Sequence, residues 1–167
     1  YFSQPFIADP LRDADCPSYA DGGVAVILAT EGVAEKLSDN PAWITGIDHR
    51  IDAHHFGVRD LTMAPSVRLA AENAGVSDAP VDVAELHAAY TTHEVIIRRE
   101  MGLSARPTAK QRSYPLVADT LMASGLLRIA EASRAIWEGK AQRAVAHATA
   151  GHLLQQNLVC VLEGGRP

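Results

Sequence analysis

Only two cysteines, Cys16 and Cys160, occur in 167 residues, too few for a disulfide framework. No apolar run approaches the roughly 20 residues that a bilayer-spanning helix needs, so no membrane span is expected. Basic charge is also scarce, with 15 Lys and Arg against 20 Asp and Glu and a formal net charge of -5. Without a broad basic field, binding to the phosphate backbone of nucleic acid is not expected. No secretory leader is visible, although the sequence starts at Tyr1 rather than Met and targeting information could lie upstream. A soluble, cytoplasmic protein fits these absences. Seven histidines invite a metal reading through His54 with His55, His87 with His93, or His147 with His152. None of these pairs has a zinc-ligand pattern, and no metal is expected.

What the sequence does have is apolar residues, 47% of the total, enough for one buried core. Residues 1–20 mix Pro5, Pro10 and Pro17 with Asp9, Asp13 and Asp15 and read as an extended lead-in. Val24 to Ala29 is a continuous apolar run that suits a strand covered on both faces. A short helix is predicted from Gly32 to Leu37, and a second strand from Ala42 to Ile47. Helical spacing follows over Ala64 to Ala74, with Pro65 in the first turn and Gly75 as the stop. Val81 to Leu86 predicts a third strand, and Tyr90 to Met101 a helix closed by Gly102.

The pattern of Ser104 to Ser113 does not choose between strand and loop. Asp119 can cap a long helix whose stripe runs through Met122, Leu126, Ile129, Ile136 and Trp137 to Gly139. Ala144 to Ala148 and Leu158 to Leu162 close the chain as two strands able to form a hairpin. The expected fold class is α/β, layered, with a mixed five-stranded sheet flanked by helices.

Glu85-Leu86-His87-Ala88-Ala89-Tyr90-Thr91 resembles the Glu-Val-His-Asp-Cys-Phe-Thr segment of sterol-carrier-type thiolases, departing from it at Ala88 and Ala89. Asp21-Gly22-Gly23-Val24-Ala25-Val26 resembles a strand late in the thiolase N-terminal half. Ala123-Ser124-Gly125 is similar to the Ala-Thr-Gly after the family's Gly-His-Pro loop. Gln155 to Glu163 looks like the closing segment of actinobacterial thiolase-like proteins labelled lipid-transfer proteins. These segments stand in the family's order, and the chain is identified as similar to the C-terminal half of a thiolase-superfamily protein. The resemblance implies that 1–40 is the tail of the N-terminal half and 41–167 the C-terminal domain.

Thiolase chemistry needs a cysteine nucleophile, a base, a second acid/base group and an oxyanion site. The family's nucleophile belongs to the N-terminal half. Counting back from Ala123-Ser124-Gly125 puts the Gly-His-Pro histidine at Asp119, which is either a helix cap or an altered catalytic group. The second cysteine should follow the Ala144 to Ala148 strand, where His147-Ala148-Thr149-Ala150-Gly151-His152 contains none. Cys16 matches no nucleophile motif, and Cys160 inside an apolar strand reads as a small buried hydrophobe.

His87 stands where the resemblance implies a group that orients a water or the thioester oxygen, and an imidazole can do either. Its other reading is a histidine satisfied by local hydrogen bonds. Tyr90 is either an oxyanion donor or packing in a first helical turn. Some steroid-degrading members of the superfamily are aldolases that use tyrosines, which brings in Tyr90 and Tyr114.

The resemblance thus implies binding of an acyl-CoA or sterol-CoA ester in lipid or steroid metabolism, with coenzyme A thioester as substrate and no covalently bound cofactor. Catalysis is expected to be lost or changed from Claisen to aldol chemistry, and the chain alone to be inactive. A non-catalytic scaffold or lipid-transfer protein and a divergent acetyl-CoA acyltransferase are the alternatives. Implied partners are the N-terminal half of the same protein, a second copy in a homodimer, and a small zinc-ribbon/OB-fold protein.

Overall fold

Local chain chemistry already separates an irregular start from a regular remainder, and the computed structural model, which describes residues 2–104 and 119–165, follows that division. Most of the Ser104 to Ser113 stretch, and Tyr114, lie outside the described residues. In the lead-in, β1 (Phe6–Ala8) and β2 (Leu11–Arg12) form a small antiparallel pair ahead of a 3-10 turn at Asp13–Asp15. Asp15 is buried and accepts from the Arg12 backbone N–H (2.8 Å) and from Thr91 Oγ1 (3.0 Å), which ties the lead-in to the body of the protein.

The main sheet is mixed, as expected, but among the described residues it has four strands, in the order β3-β6-β5-β4, instead of five. These are β3 (Ala42–Ile51), β4 (Val83–Leu86), β5 (Arg143–Ala150) and β6 (Gln156–Gly164). β6 pairs antiparallel with both β3 and β5, whereas β4 runs parallel to β5. The fifth predicted strand, Val24 to Ala29, is not one, and Ile27 and Leu28 are 87% and 78% exposed. An apolar run reports what a segment would gain by burial but not which partner buries it; no described residue supplies that cover.

Among the described residues four α-helices accompany the sheet: α1 (Glu31–Leu37), α2 (Pro65–Asn73), α3 (Thr91–Glu100) and α4 (Ser124–Trp137). Alternation along the strands divides the core between the two faces of the sheet. Ala84, Leu86, Val145, Val159 and Val161 pack with Val67, Ala70 and Ala71 of α2 and Ile97 of α3. Val83, Ala144, Ala146, Cys160 and Leu162 pack with Ala132 and Ile136 of α4. Among the described residues no helix is long and apolar enough to cross a membrane.

Two details lock this arrangement. Gly46 lies at the irregularity between Ile44 and Gly46 in β3, where an added Cβ would come within 2.1 Å of the Ala74 carbonyl oxygen at the end of α2. Arg143 is buried at the start of β5 and donates to Glu163 Oε1 (2.7 Å) and to the carbonyls of Gly75 (2.6 Å), Val76 (3.0 Å) and Ala79 (2.5 Å). A buried guanidinium so saturated is tolerable because its charge and its donors are matched.

Asp119 does not cap α4, contrary to its predicted role. A 3-10 turn at Leu121–Ala123, with Leu121 at φ 52, separates Asp119 from the helix start at Ser124.

Candidate functional site

His87 follows the last residue of β4, and its backbone N–H donates to the His147 carbonyl (3.2 Å), continuing the β4 to β5 pairing for one more step. The imidazole Nδ1 accepts from the Thr149 N–H at 3.4 Å, which leaves the Nε2–H directed at Asp119 Oδ1, 3.7 Å away. Both side chains are largely buried. Burial lowers the His87 pKa, while the Asp119 carboxylate opposes that shift and Arg128 adds to it. The pair can hold a proton at His87 Nε2 and hand it to, or take it from, a group placed between the two.

Asp119 is held from both sides by the lead-in. Its N–H donates to the Ser18 carbonyl (2.8 Å) and its carbonyl accepts from the Ala20 N–H (3.1 Å), so Ser18 to Ala20 lie across this end of the sheet. The Asp119 Oδ1 also accepts from the Leu121 N–H (2.8 Å) and from Ser124 Oγ (2.5 Å). The Ser124 hydroxyl proton is therefore committed to Asp119 and not to His87. A Ser-His-Asp triad, which needs the histidine in the middle, is ruled out for these three residues.

Tyr90, the third predicted residue, stands at the N-cap of α3 and packs edge-on against the His93 ring at 5.0 Å. The structure thus brings His87 and Asp119 together, and places Tyr90 against His93, whose pKa is lowered first by burial and then by the nearby His87. Cys160 is buried in β6 and its thiol is pushed up to about 11 by burial, so it is no nucleophile. Cys16 directs its sulfur to the Arg12 carbonyl at 3.7 Å. No group of three or more His, Cys, Asp or Glu among the described residues is arranged to hold a metal ion.

Sequence reasoning missed several neighbours. Glu85, two residues before His87 on β4, is buried and ion-paired with Arg128 of α4 at 3.2 Å. Burial outweighs that pairing and raises its pKa to about 7. His147, on β5, is fully buried and bonds Asn157 Oδ1 through Nε2 at 3.0 Å. Glu85 was signalled by its place in the Glu-Leu-His segment; nothing local signalled His147 and Asn157, which meet across the β5–β6 hairpin. Within that hairpin Gly151, Leu153 and Leu154 have φ values of 74, 55 and 56, a left-handed backbone that is strained for the two leucines. Arg59 braces it by donating to the carbonyls of His152 (3.4 Å) and Leu153 (2.7 Å).

No family model matches the chain. Curated relatives do: it is 27% identical over 106 residues to an acetyl-CoA acetyltransferase of Methanothermobacter thermautotrophicus and 30% identical over 102 residues to the benzoylsuccinyl-CoA thiolase subunit BbsB of Thauera aromatica. Each match covers 58% of this chain and 26% of the relative. Among solved structures, human mitochondrial 3-ketoacyl-CoA thiolase superposes with a TM-score of 0.74 at 20% identity, over 98% of this chain and 42% of that one. The chain has the thiolase fold. A monomeric SCP2-thiolase like protein from Mycobacterium smegmatis shares the fold with a TM-score of 0.62 at 15% identity, over 73% of this chain and 29% of its own. The chain therefore spans less than half the length of these proteins.

Proposed function

We propose that this chain is the C-terminal part of a larger thiolase-like protein that binds an acyl-CoA or sterol-CoA ester and uses His87 with Asp119 as an acid/base pair for aldol-type carbon–carbon cleavage. The observation that carries this reading is the placement of the His87 Nε2 3.7 Å from Asp119 Oδ1, at a strand end in a thiolase fold. Support for the ester comes from the relatives, which are named for CoA-ester chemistry, and from a matching human thiolase solved in complex with CoA.

A retro-aldol step needs no thiolate. A base takes the β-hydroxyl proton, the Cα–Cβ bond breaks as the carbonyl forms, and the enolate of the shortened thioester is protonated at Cα. The Asp119 carboxylate can accept the first proton while the His87 Nε2–H passes its own to the enolate carbon and is replaced by the one Asp119 took up, so the pair returns to its starting state. Tyr90 stands at the edge of this arrangement as a donor to the enolate oxygen. The remaining site residues, dimer contacts and any zinc-ribbon/OB-fold partner fall to the rest of the protein, including its N-terminal half.

A scaffold reading has its own support, because Asp119 Oδ1 is already engaged by Leu121 N–H and Ser124 Oγ and so has a structural duty. Turnover of acetoacetyl-CoA and of a β-hydroxyacyl-CoA by the full-length protein, with CoA species followed by mass spectrometry, separates the readings. Aldol cleavage that drops about 100-fold or more in His87→Ala with folding intact is expected. CoA-dependent thiolysis would refute the proposal in favour of a thiolase, and tight ester binding without either product would refute it in favour of a scaffold.

A further inference from the structure

A chain of buried polar groups crosses the face of the sheet covered by α2, and its hydrogen bonds can be assigned donor by donor. Asp52 Oδ2 receives the single proton of the Ser66 hydroxyl at 2.5 Å. Ser66 Oγ is then an acceptor, and Asn157 Nδ2 donates to it at 2.7 Å. The second hydrogen of Asn157 Nδ2 goes to the Leu154 carbonyl at 2.8 Å. With its amide nitrogen fixed in this way, Asn157 presents Oδ1 to His147, so Nε2 of His147 carries a proton and donates across 3.0 Å.

A neutral imidazole has one N–H, so the His147 Nδ1 is left as a bare lone pair. It is fully buried and no protein group among the described residues reaches it. Protonating Nδ1 offers no escape, because burial holds the imidazole neutral and pushes its pKa down to about 4. A second ring nitrogen, His93 Nδ1, is also buried with no partner among the described residues. His87 and His93 both act electrostatically on His147, which groups the three imidazoles at the ends of β4 and β5 and the first turn of α3. A buried polar atom left unmet carries an unrepaid desolvation cost, and folded proteins meet nearly all of them.

We propose that the cluster of His87, His93 and His147 encloses a site for a single hydroxyl group, whose O–H donates to His147 Nδ1. The hydroxyl belongs either to an internal water, which can also engage His93 Nδ1, or to the bound substrate. Asp52, Ser66 and Asn157 are positioning residues: they touch no ligand and fix which nitrogen of His147 accepts. The inference goes beyond the aldol reading and does not depend on turnover.

The test uses the full-length protein, crystallised alone and with a non-cleavable β-hydroxyacyl-CoA analogue, together with nitrogen-15 NMR of its histidines. An oxygen within hydrogen-bonding distance of His147 Nδ1 is expected, with Nε2 protonated and the Nδ1 resonance shifted upfield from that of a free lone pair. If the oxygen persists when the analogue binds, the source is water; if the analogue's hydroxyl replaces it, the source is substrate. In His147→Phe the oxygen should be lost, and should that variant fail to fold, the native NMR spectrum decides alone. A protonated Nδ1, or an Nδ1 at the free lone-pair position with only carbon around it, overturns the proposal. Because neither readout measures activity, an inactive protein that holds the oxygen would sink the aldol reading and leave this one standing.

Discussion

Replacing Glu85 by glutamine isolates a large electrostatic tension beside the candidate site. Glu85 is 5% exposed, and its pKa is displaced from 4.5 to about 7, first by burial, with the Arg128 guanidinium pulling the other way. The displacement corresponds to about 3 kcal/mol of preference for the protonated carboxyl in the folded state. A raised folded pKa means that the folded protein binds more protons than the unfolded chain between pH 4.5 and 7. The contribution is therefore fully present below pH 4.5 and is lost as pH rises through 7. Glu85→Gln keeps the size and a neutral polar head but does not titrate.

Urea denaturation of both full-length proteins at intervals from pH 4.5 to 8 gives the difference in unfolding free energy. Other titrating groups, His147 among them, contribute equally to the two proteins and cancel in that difference. The native protein should lose about 3 kcal/mol relative to Glu85→Gln across this window. A difference that stays level with pH would refute the claim that burial outweighs Arg128.

Two further substitutions probe the frame that holds the site. Gly46→Ala would press a methyl group into the Ala74 carbonyl, a backbone atom that can yield only by moving α2, and should cost about 2 kcal/mol or more in a thermal or urea melt. An unchanged melting temperature would contradict the close approach. Arg143→Met leaves Glu163 without its partner and three carbonyls without a donor, and should destabilise by about 3 kcal/mol in the same melt; a neutral effect would mean that water takes over those bonds.

Much of the fold was legible because strands and helices with one buried face write their period into the sequence. β3 to β6 and all four helices begin and end within a few residues of where apolar spacing, Pro65 and the stop glycines put them. Val24 to Ala29 shows the limit of that signal, since its apolar content is plain and its partner is not among the described residues. Asp119 shows another: capping residues and site carboxylates look alike in a sequence, and only the turn at Leu121–Ala123 shows that Asp119 is set back from α4. His87 was found through a short segment at a strand end. The chain from Asp52 through Ser66 and Asn157 to His147 was out of reach, because its members are spread over two strands, the residue after a third and a helix start, and no local spacing links them.

The grip of Ser18 and Ala20 on Asp119 bears on how the site comes into being. Those residues are about a hundred positions apart, so the contact closes one of the longest loops in the fold and brings little reward until the intervening sheet exists. The His87–Asp119 contact thus depends on order set far along the chain, through Ser18 and Ala20 on one side and Thr149 on the other, and not on either residue's own neighbourhood.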